Sequence, residues 1–488
     1  MRKILPERKP ENRLAVILPG IALILLAVIL TYLNSFPGAF HYDDFGLFLE
    51  NPEFREGARG LFSLVTLYAG RPLSILSLEL NLWLGGENPF WFHLVNLLLH
   101  LSVTLILYFL VIHLTNSPAT GLITALLFSL HPLQAQTVNY IWARSLILMS
   151  VFLLTAFYYA LAGRKEWPHL VLFQLAVWSR MDALAALPLL LLVPRRKKLP
   201  LLLLGLLNLA AAGYSMISAD NHGMAWNHDS PAGYLSAAPA YLIAYLRLMF
   251  SPGNHAIFHE ISQPGLVPTA ISLCLAVIIV AAVARTRKTQ PIVFTGTVWM
   301  VLMLLPSLLI PNPDPVNESR AYLAFAGAAL VTAVLVKFFS RTVCEKLADM
   351  TGAANIKKSA TIAALFLGLV CSSILATMTM KRNEVWKDDV KIWREAAALN
   401  SESHLPAYNL GIALVRRGEF EEGCTSLGRA IELNPLDDLS YSSLGYCYEI
   451  RGEFEKANKY YSRALEINPE NRTALESLER PGEAGKKQ

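Results

Sequence analysis

Apolar runs long enough to cross a bilayer recur along this chain up to residue 380, and they constrain its fold more than any motif does. A helix needs about 20 apolar residues to span the hydrocarbon layer. Inside that layer each backbone N–H and C=O must be satisfied within the segment, so such runs read as α-helices. They fall at 14–34, 92–114, 119–131, 145–162, 168–180, 182–194, 199–218, 266–284, 291–310, 321–338 and 359–380, which predicts about eleven spans. The stretch 234–250 is either a further span or a helix lying in the interface. Only 16% of the residues are charged, against about a quarter in soluble proteins. The first run lacks a small-residue cleavage site after it and reads as a retained anchor.

Alternating the loops sorts the basic residues. The N-terminal side holds "MRKILPERKPENR", "GRKEW", "PRRKK", "RTRK" and the segment from Lys337 to Lys358, with 19 Lys and Arg between them. The loops between spans on the opposite face hold seven, all Arg: Arg55, Arg59, Arg71, Arg144, Arg180, Arg247 and Arg320. The positive-inside rule then predicts a cytoplasmic N-terminus and an outer location for everything after residue 380. Arg also suits fork-like binding of phosphate oxygens, although snorkelling at an interface accounts for it equally well. The net charge of +5 follows topology and makes no basic-aromatic patch for nucleic acid.

From residue 404 the pattern becomes charged, amphipathic helix. "HLPAYNLGIALVRRGEFEEGCTSLGRAIELNPLD" and "DLSYSSLGYCYEIRGEFEKANKYYSRALEINPEN" share Gly411/Gly445, two "RGEF" blocks, Ala430/Ala464 and two "NP" pairs at a 34-residue period. That is a tetratricopeptide pattern of two helices per unit. One period earlier, "DDVKIWREAAALNS" matches a second helix, so the array reads as about two and a half repeats following the last span. The expected organisation is a cytoplasmic N-terminus (1–13), a membrane domain (14–380) with an outer loop at 35–91, repeats over 381–471 with full units 404–437 and 438–471, and a polar tail (472–488). Leu405, Tyr408, Ile412, Tyr446 and Glu449 are expected to line a groove for an extended peptide. The fold class is all-α: a polytopic membrane bundle carrying a helical solenoid.

Four polar clusters interrupt the apolar sequence, all predicted on the outer face: "HYDDF" (41–45), "HPLQAQTVNYIWAR" (131–144), "WSRMD" (178–182) and "PVNESRAY" (315–322). Charges near span ends are costly unless they have a partner or a task. Interfacial ion pairs such as Asp43 with Arg144 are the plain alternative. The chemistry that fits the convergence is transfer of a sugar from a lipid-linked phosphosugar. A carboxylate takes the proton of an acceptor hydroxyl, and guanidiniums neutralise the departing phosphate.

The acidic first loop, "GRPLSILSLELNLWLGG" (70–86), "PFWFHLVNLLLH" (89–100), "LLFSLHP" (126–132), "ESRAYLAFAG" (318–327) and the trailing repeats together resemble the transmembrane-and-tetratricopeptide O-mannosyltransferase group of the GT-C membrane glycosyltransferases. The resemblance runs in order through nearly the whole chain. It implies an inverting transferase with a polyprenyl-phosphate sugar donor, a protein hydroxyl acceptor, and Asp44 or its neighbour Asp43 as base, with Asp44 preferred. Substrate contacts are expected from His41, Arg71, Arg144, Arg180, Asp182, Glu318, Arg320 and Tyr322, and acceptor contacts from Tyr408, Ile412 and Tyr446. Some GT-C enzymes hold a divalent cation, magnesium or manganese, on acidic residues and others use none. The chain departs from the group's pattern at Gln136, at Leu146 and at Arg180–Met181, so mannose is not assumed.

His255, His259 and Glu260 offer a weak metal pattern. Cys424 and Cys447 read as buried small residues or as a bridge. Two other roles stay open: modification of a lipid-linked or envelope glycan, and a non-catalytic scaffold for envelope assembly. A transporter fits poorly, since the polar residues gather at one face. A bacterial inner membrane is preferred over the endoplasmic reticulum.

Overall fold

The computed structural model describes residues 10–49, 51, 54, 70–163, 165, 167–194, 197–220, 231–253, 255–261, 273–274, 281, 283–312, 314–351 and 355–479. Among the described residues there are helices and no strands. The chain divides into two compact units: Met1–His255 with Ile261–Lys387, and Ala256–Glu260 with Asp388–Gln488.

The first unit contains α1 (Pro10–Tyr32), α2 (Pro72–Gly85), α3 (Pro89–Thr115), α4 (Pro118–Ser129), the short α5 (Leu133–Asn139), α6 (Arg144–Leu161) and α7 (Trp167–Ser179). It continues with α8 (Leu187–Leu192), α9 (Lys198–Asp220), α10 (Pro231–Phe250), α11 (Pro291–Leu309), α12 (Ala324–Thr351) and α13 (Ile356–Val385). Pro72, Pro89, Pro118 and Pro291 open their helices, where the N–H that proline lacks has no helical partner anyway. The side chains of Asn88 and Ser117 cap α3 and α4 by accepting from the N–H groups of Phe90 and Thr120.

Among the described residues, six stretches are long and apolar enough to cross a membrane: Ile17–Ser35, Pro89–Thr115, Ile141–Leu161, Pro291–Leu309, Ala324–Thr351 and Ile356–Val385. The expected runs at 119–131 and 182–194 appear as the shorter apolar stretches Pro118–Ser129 and Met181–Leu192, 199–218 as α9, apolar over Lys198–Ala211, and 168–180 as the 13-residue α7. Most of 266–284 lies outside the described residues. The helix α12 continues past its expected end at 338 to Thr351, and α13 runs on past 380 to Val385. Ile362, Phe366, Leu369 and Ile374 stand exposed on α13, a face suited to lipid and not to water.

The expected outer loop contains α2, whose Ser74, Ile75, Leu78 and Asn81 are buried while Leu76, Leu80, Trp83 and Leu84 are exposed. Apolar residues on both faces hide its helical period in the sequence. The cores of α11 and α12 meet where Gly296 faces Gly327; a Cβ on Gly327 would overlap the Gly296 carbonyl.

The second unit comprises α14 (Asp389–Leu399), α15 (His404–Arg416), α16 (Phe420–Leu433), α17 (Asp438–Ile450), α18 (Phe454–Ile467) and α19 (Arg472–Glu479). The 34-residue glycines have a packing cause: a Cβ at Gly411 would press on Leu427, and one at Gly445 on Tyr461. Asn400 anchors the short segment 256–260, donating to the Phe258 carbonyl at 3.1 Å and accepting from the Glu260 N–H at 2.9 Å. Cys424 on α16 and Cys447 on α17 form a disulfide, with Cα atoms 5.9 Å apart. Of the two roles open to these cysteines, the bridge is the one adopted.

Candidate active site

The acidic loop leaves α1 through a 3-10 turn at Leu33–Ser35. Tyr42 then takes the left-handed conformation, φ 48°, unusual for an aromatic residue and a mark of functional loops. A π-helical turn, Asp44–Leu49, follows at once. Asp44 closes this turn on itself: its N–H donates to the His41 carbonyl at 2.8 Å, and its Oδ2 accepts from the His41 N–H at 3.0 Å. The second oxygen, Oδ1, accepts from the Trp142 N–H at 2.9 Å. Asp44 is fully buried. Burial pushes its carboxyl up to about 7, against the pull of those N–H groups and the His41 charge, and the neighbouring Asp43 adds to the rise.

Asp43 is only half-buried. Burial raises its carboxyl above the usual range, while the Tyr140 hydroxyl and the Arg71 guanidinium beside it favour the charged form. Arg71 stacks over the Trp142 ring, 5.7 Å from its centroid. Burial and the nearby Arg180 lower it to about 10, and Asp182, Asp43 and Tyr140 counter them. Arg180 is paired with Asp182, which also lies within electrostatic range of Arg320 and Arg71. Arg320 donates to the Asp314 carbonyl at 2.7 Å. The structure thus gathers Asp43, Arg71, Arg180, Asp182 and Arg320, all half-buried, with Tyr140 beside Asp43 and the Trp142 ring under Arg71.

Four expected substrate contacts belong instead to the interior. Arg144 is fully buried; it donates to Asn96 Oδ1 at 2.7 Å, Asn81 Oδ1 at 2.8 Å, and the carbonyls of Ser77 and Phe92 at 3.1 Å each. It therefore ties α2 and α3 to α6 and makes no ion pair with Asp43. His41 is buried, with Nε2 2.6 Å from the Trp386 carbonyl and its ring edge-on to the Trp386 indole. Glu318 is buried against His255 Nδ1 at 3.1 Å. Tyr322 is buried with its hydroxyl 2.7 Å from His100 Nδ1. Long polar side chains in an apolar sequence look alike whether they meet substrate or one another.

Sequence reasoning missed Asn383 and Trp386, because an Asn and a Trp at the end of a span carry no distinguishing signal. Among the described residues no three His, Cys, Asp or Glu side chains are grouped to hold a metal ion; His255 turns to Glu318. In the repeats Tyr446 is exposed. Tyr408 and Ile412 lean on the core of Val415, Cys424, Leu427, Leu444 and Cys447, so they offer a groove less surface than the repeat pattern suggests.

Residues 439–471 match the tetratricopeptide repeat family model. The chain is similar to the protein O-mannosyl-transferase TMTC1 of Mus musculus, 34% identical over 167 residues, 31% of this chain and 18% of that protein. The TMTC1 of Homo sapiens is 34% identical over 150 residues, 28% of this chain and 17% of that protein. A protein O-mannosyl-transferase of Caenorhabditis elegans is 22% identical over 453 residues, 85% of this chain and 62% of that protein. The matched segments thus span less than a fifth of the two mammalian proteins. The chain is TMTC-like: a helical, multi-pass membrane protein with tetratricopeptide repeats.

Proposed function

We propose that the chain is an inverting GT-C glycosyltransferase that moves a sugar from a polyprenyl phosphate to a protein hydroxyl on the extracytoplasmic face. The observation that carries this is the half-buried Asp43 beside Tyr140 and Arg71, with Arg180 and Asp182 in range of Arg71 and Arg320 in range of Asp182. It pairs a base with guanidiniums for a leaving phosphate. The Asp43 carboxylate takes the acceptor's proton. The acceptor oxygen bonds to the anomeric carbon from the face opposite the phosphate, and the carbon–phosphate oxygen bond breaks. The lipid phosphate departs with that electron pair, its charge met by Arg71 and Arg320. Asp44 is the less suitable base, since backbone N–H groups occupy both its oxygens. The names of the relatives, protein O-mannosyl-transferases, support a protein acceptor and make mannose the first donor sugar to try.

The exposed Leu439, Tyr446 and Ile450 lie at helical spacing on α17 and suit an extended acceptor segment. The Cys424–Cys447 bridge supports an oxidising compartment for the repeats, in line with the basic residues clustered on the other side. Two experiments test the proposal. Deleting the gene is expected to remove a sugar mass from surface or secreted host proteins in intact-mass spectra; unchanged masses would exclude protein glycosylation and leave the envelope glycan to examine. In intact cells Cys424 and Cys447 are expected to resist maleimide until a reductant is added. Labelling without reductant would argue against an oxidising location.

A further inference from the structure

Asn383 lies near the end of α13, three residues past the expected end of the last span. It is fully buried, and its amide is completely engaged. The Nδ2 group donates to the Thr31 carbonyl and to Asn34 Oδ1, both at 3.0 Å. Its Oδ1 accepts from Asn139 Nδ2 at 2.8 Å. Asn34 reaches back to α13, donating to the Met380 carbonyl at 2.9 Å and to Glu384 Oε1 at 2.8 Å. Three residues beyond Asn383, the Trp386 carbonyl meets His41 Nε2.

These partners sit where the two acids are held. Thr31 lies in the last turn of α1 and Asn34 in the 3-10 turn that follows, from which the acidic loop departs. Asn139 ends α5 and directly precedes Tyr140, beside Asp43, and Trp142, whose N–H binds Asp44. We infer that Asn383 is a positioning residue for the acidic pair: one amide fixes the end of α1 against the end of α5, and so sets Asp43 and Asp44 relative to Tyr140 and Trp142. The inference rests on the reading of Asp43 as the base. Leu fills a similar volume but leaves the Thr31 carbonyl, Asn34 Oδ1 and Asn139 Nδ2 without that partner.

The test compares Asn383→Leu and Asn139→Leu with Thr379→Val, a control that removes the buried bond from Thr379 to the Leu130 carbonyl on the same helix. Each variant is quantified as monodisperse protein in lipid nanodiscs. Misplacement of reacting groups by about 1 Å can cost about 10²-fold, so both Leu variants are expected to lower kcat by about 10–10²-fold with donor KM within about twofold. The acid limb of the pH profile, set by Asp43, is expected to move upward as the end of α5 shifts and Tyr140, whose hydroxyl favours the charged form of Asp43, moves away from it. The charged and titratable groups facing Asp43 are Tyr140, Arg71 and Asp44, and the substitutions replace none of them. Thr379→Val is expected to keep the wild-type limb.

Hydrogen exchange separates failure of this inference from failure of the enzyme reading. The amides of His41 and Trp142 are expected to exchange faster in both Leu variants, whether or not any transfer is detected. Unchanged exchange at these amides would overturn the positioning role. Absent transfer by wild type, with exchange accelerated in the variants, would overturn the enzyme reading alone. Should Asn383→Leu fail to fold, Asn139→Leu cuts the same bond from the other side, and its exchange rates decide the question.

Discussion

Asp43→Asn is expected to reduce sugar transfer by about 10²–10⁴-fold, the usual share of a general base, while thermal unfolding in detergent stays close to wild type. The carboxamide keeps the shape of the side chain and its place beside Arg71 and Tyr140, but it cannot take a proton from the acceptor. Asp44→Asn is expected to behave differently. Both Asp44 oxygens accept backbone N–H groups, from His41 and Trp142. An amide offers one oxygen, and its NH₂ would confront the other N–H. A buried donor left unpaired costs about 1–3 kcal/mol, so this variant is expected to unfold at lower temperature. The assignment is overturned if Asp43→Asn retains transfer, or if Asp44→Asn is fully stable and dead.

The pH dependence follows from the same two groups. Burial raises both carboxyls, Asp44 to about 7, against about 3.9 for an unperturbed Asp. A base works only when deprotonated, so transfer is expected to fall as pH drops, beginning well above the ordinary carboxylate range. Stability runs the opposite way. A carboxyl whose folded value exceeds its unfolded one binds its proton more tightly when folded. Its contribution is therefore complete below about pH 4 and is lost as pH rises through about 7. Unfolding temperatures measured from pH 5 to 8 should show this loss in wild type and not in Asp44→Asn. An equal slope in the two proteins would assign it to another group.

The membrane helices and the repeats were legible because they rest on periodicity. An apolar run of sufficient length has few alternatives, and Gly411 and Gly445 recur because neighbouring helices touch there. The charges of the site were legible too, being conspicuous in apolar sequence. Their directions were not. Asp43 and Asp44 are adjacent, yet one is half-buried beside Arg71 and the other is sealed under two N–H groups, after the left-handed Tyr42. Arg71 and Arg144 both carry a guanidinium on the expected outer side, and only tertiary packing separates them. The disulfide depends on a 5.9 Å Cα separation that no spacing of two cysteines encodes.

That separation of the arginines gives the second large effect. Arg144→Leu is expected to cost about 3–5 kcal/mol of stability, in the range for disrupting a buried charged network. The guanidinium is fully buried and its direct partners are neutral oxygens: the side chains of Asn81, Asn96 and Ser77 and the carbonyls of Ser77 and Phe92. Replacing it removes the desolvation cost of the charge but strands those oxygens, each at about 1–3 kcal/mol. The stranding outweighs the relief, because several oxygens on α2 and α3 lose their donor at once. Arg144→Lys is expected to recover little, since an ammonium lacks the planar fork that reaches all of them. Arg71→Leu supplies the contrast. Arg71 is half-buried with its face on Trp142, so its loss is expected to raise the donor KM by about tenfold or more with little change in unfolding temperature. Thermal unfolding and donor titration of the three variants decide the matter. A stable Arg144→Leu protein with weakened donor binding would move Arg144 back to the substrate, its guanidinium then being an anion-binding group that is closed off only in this state.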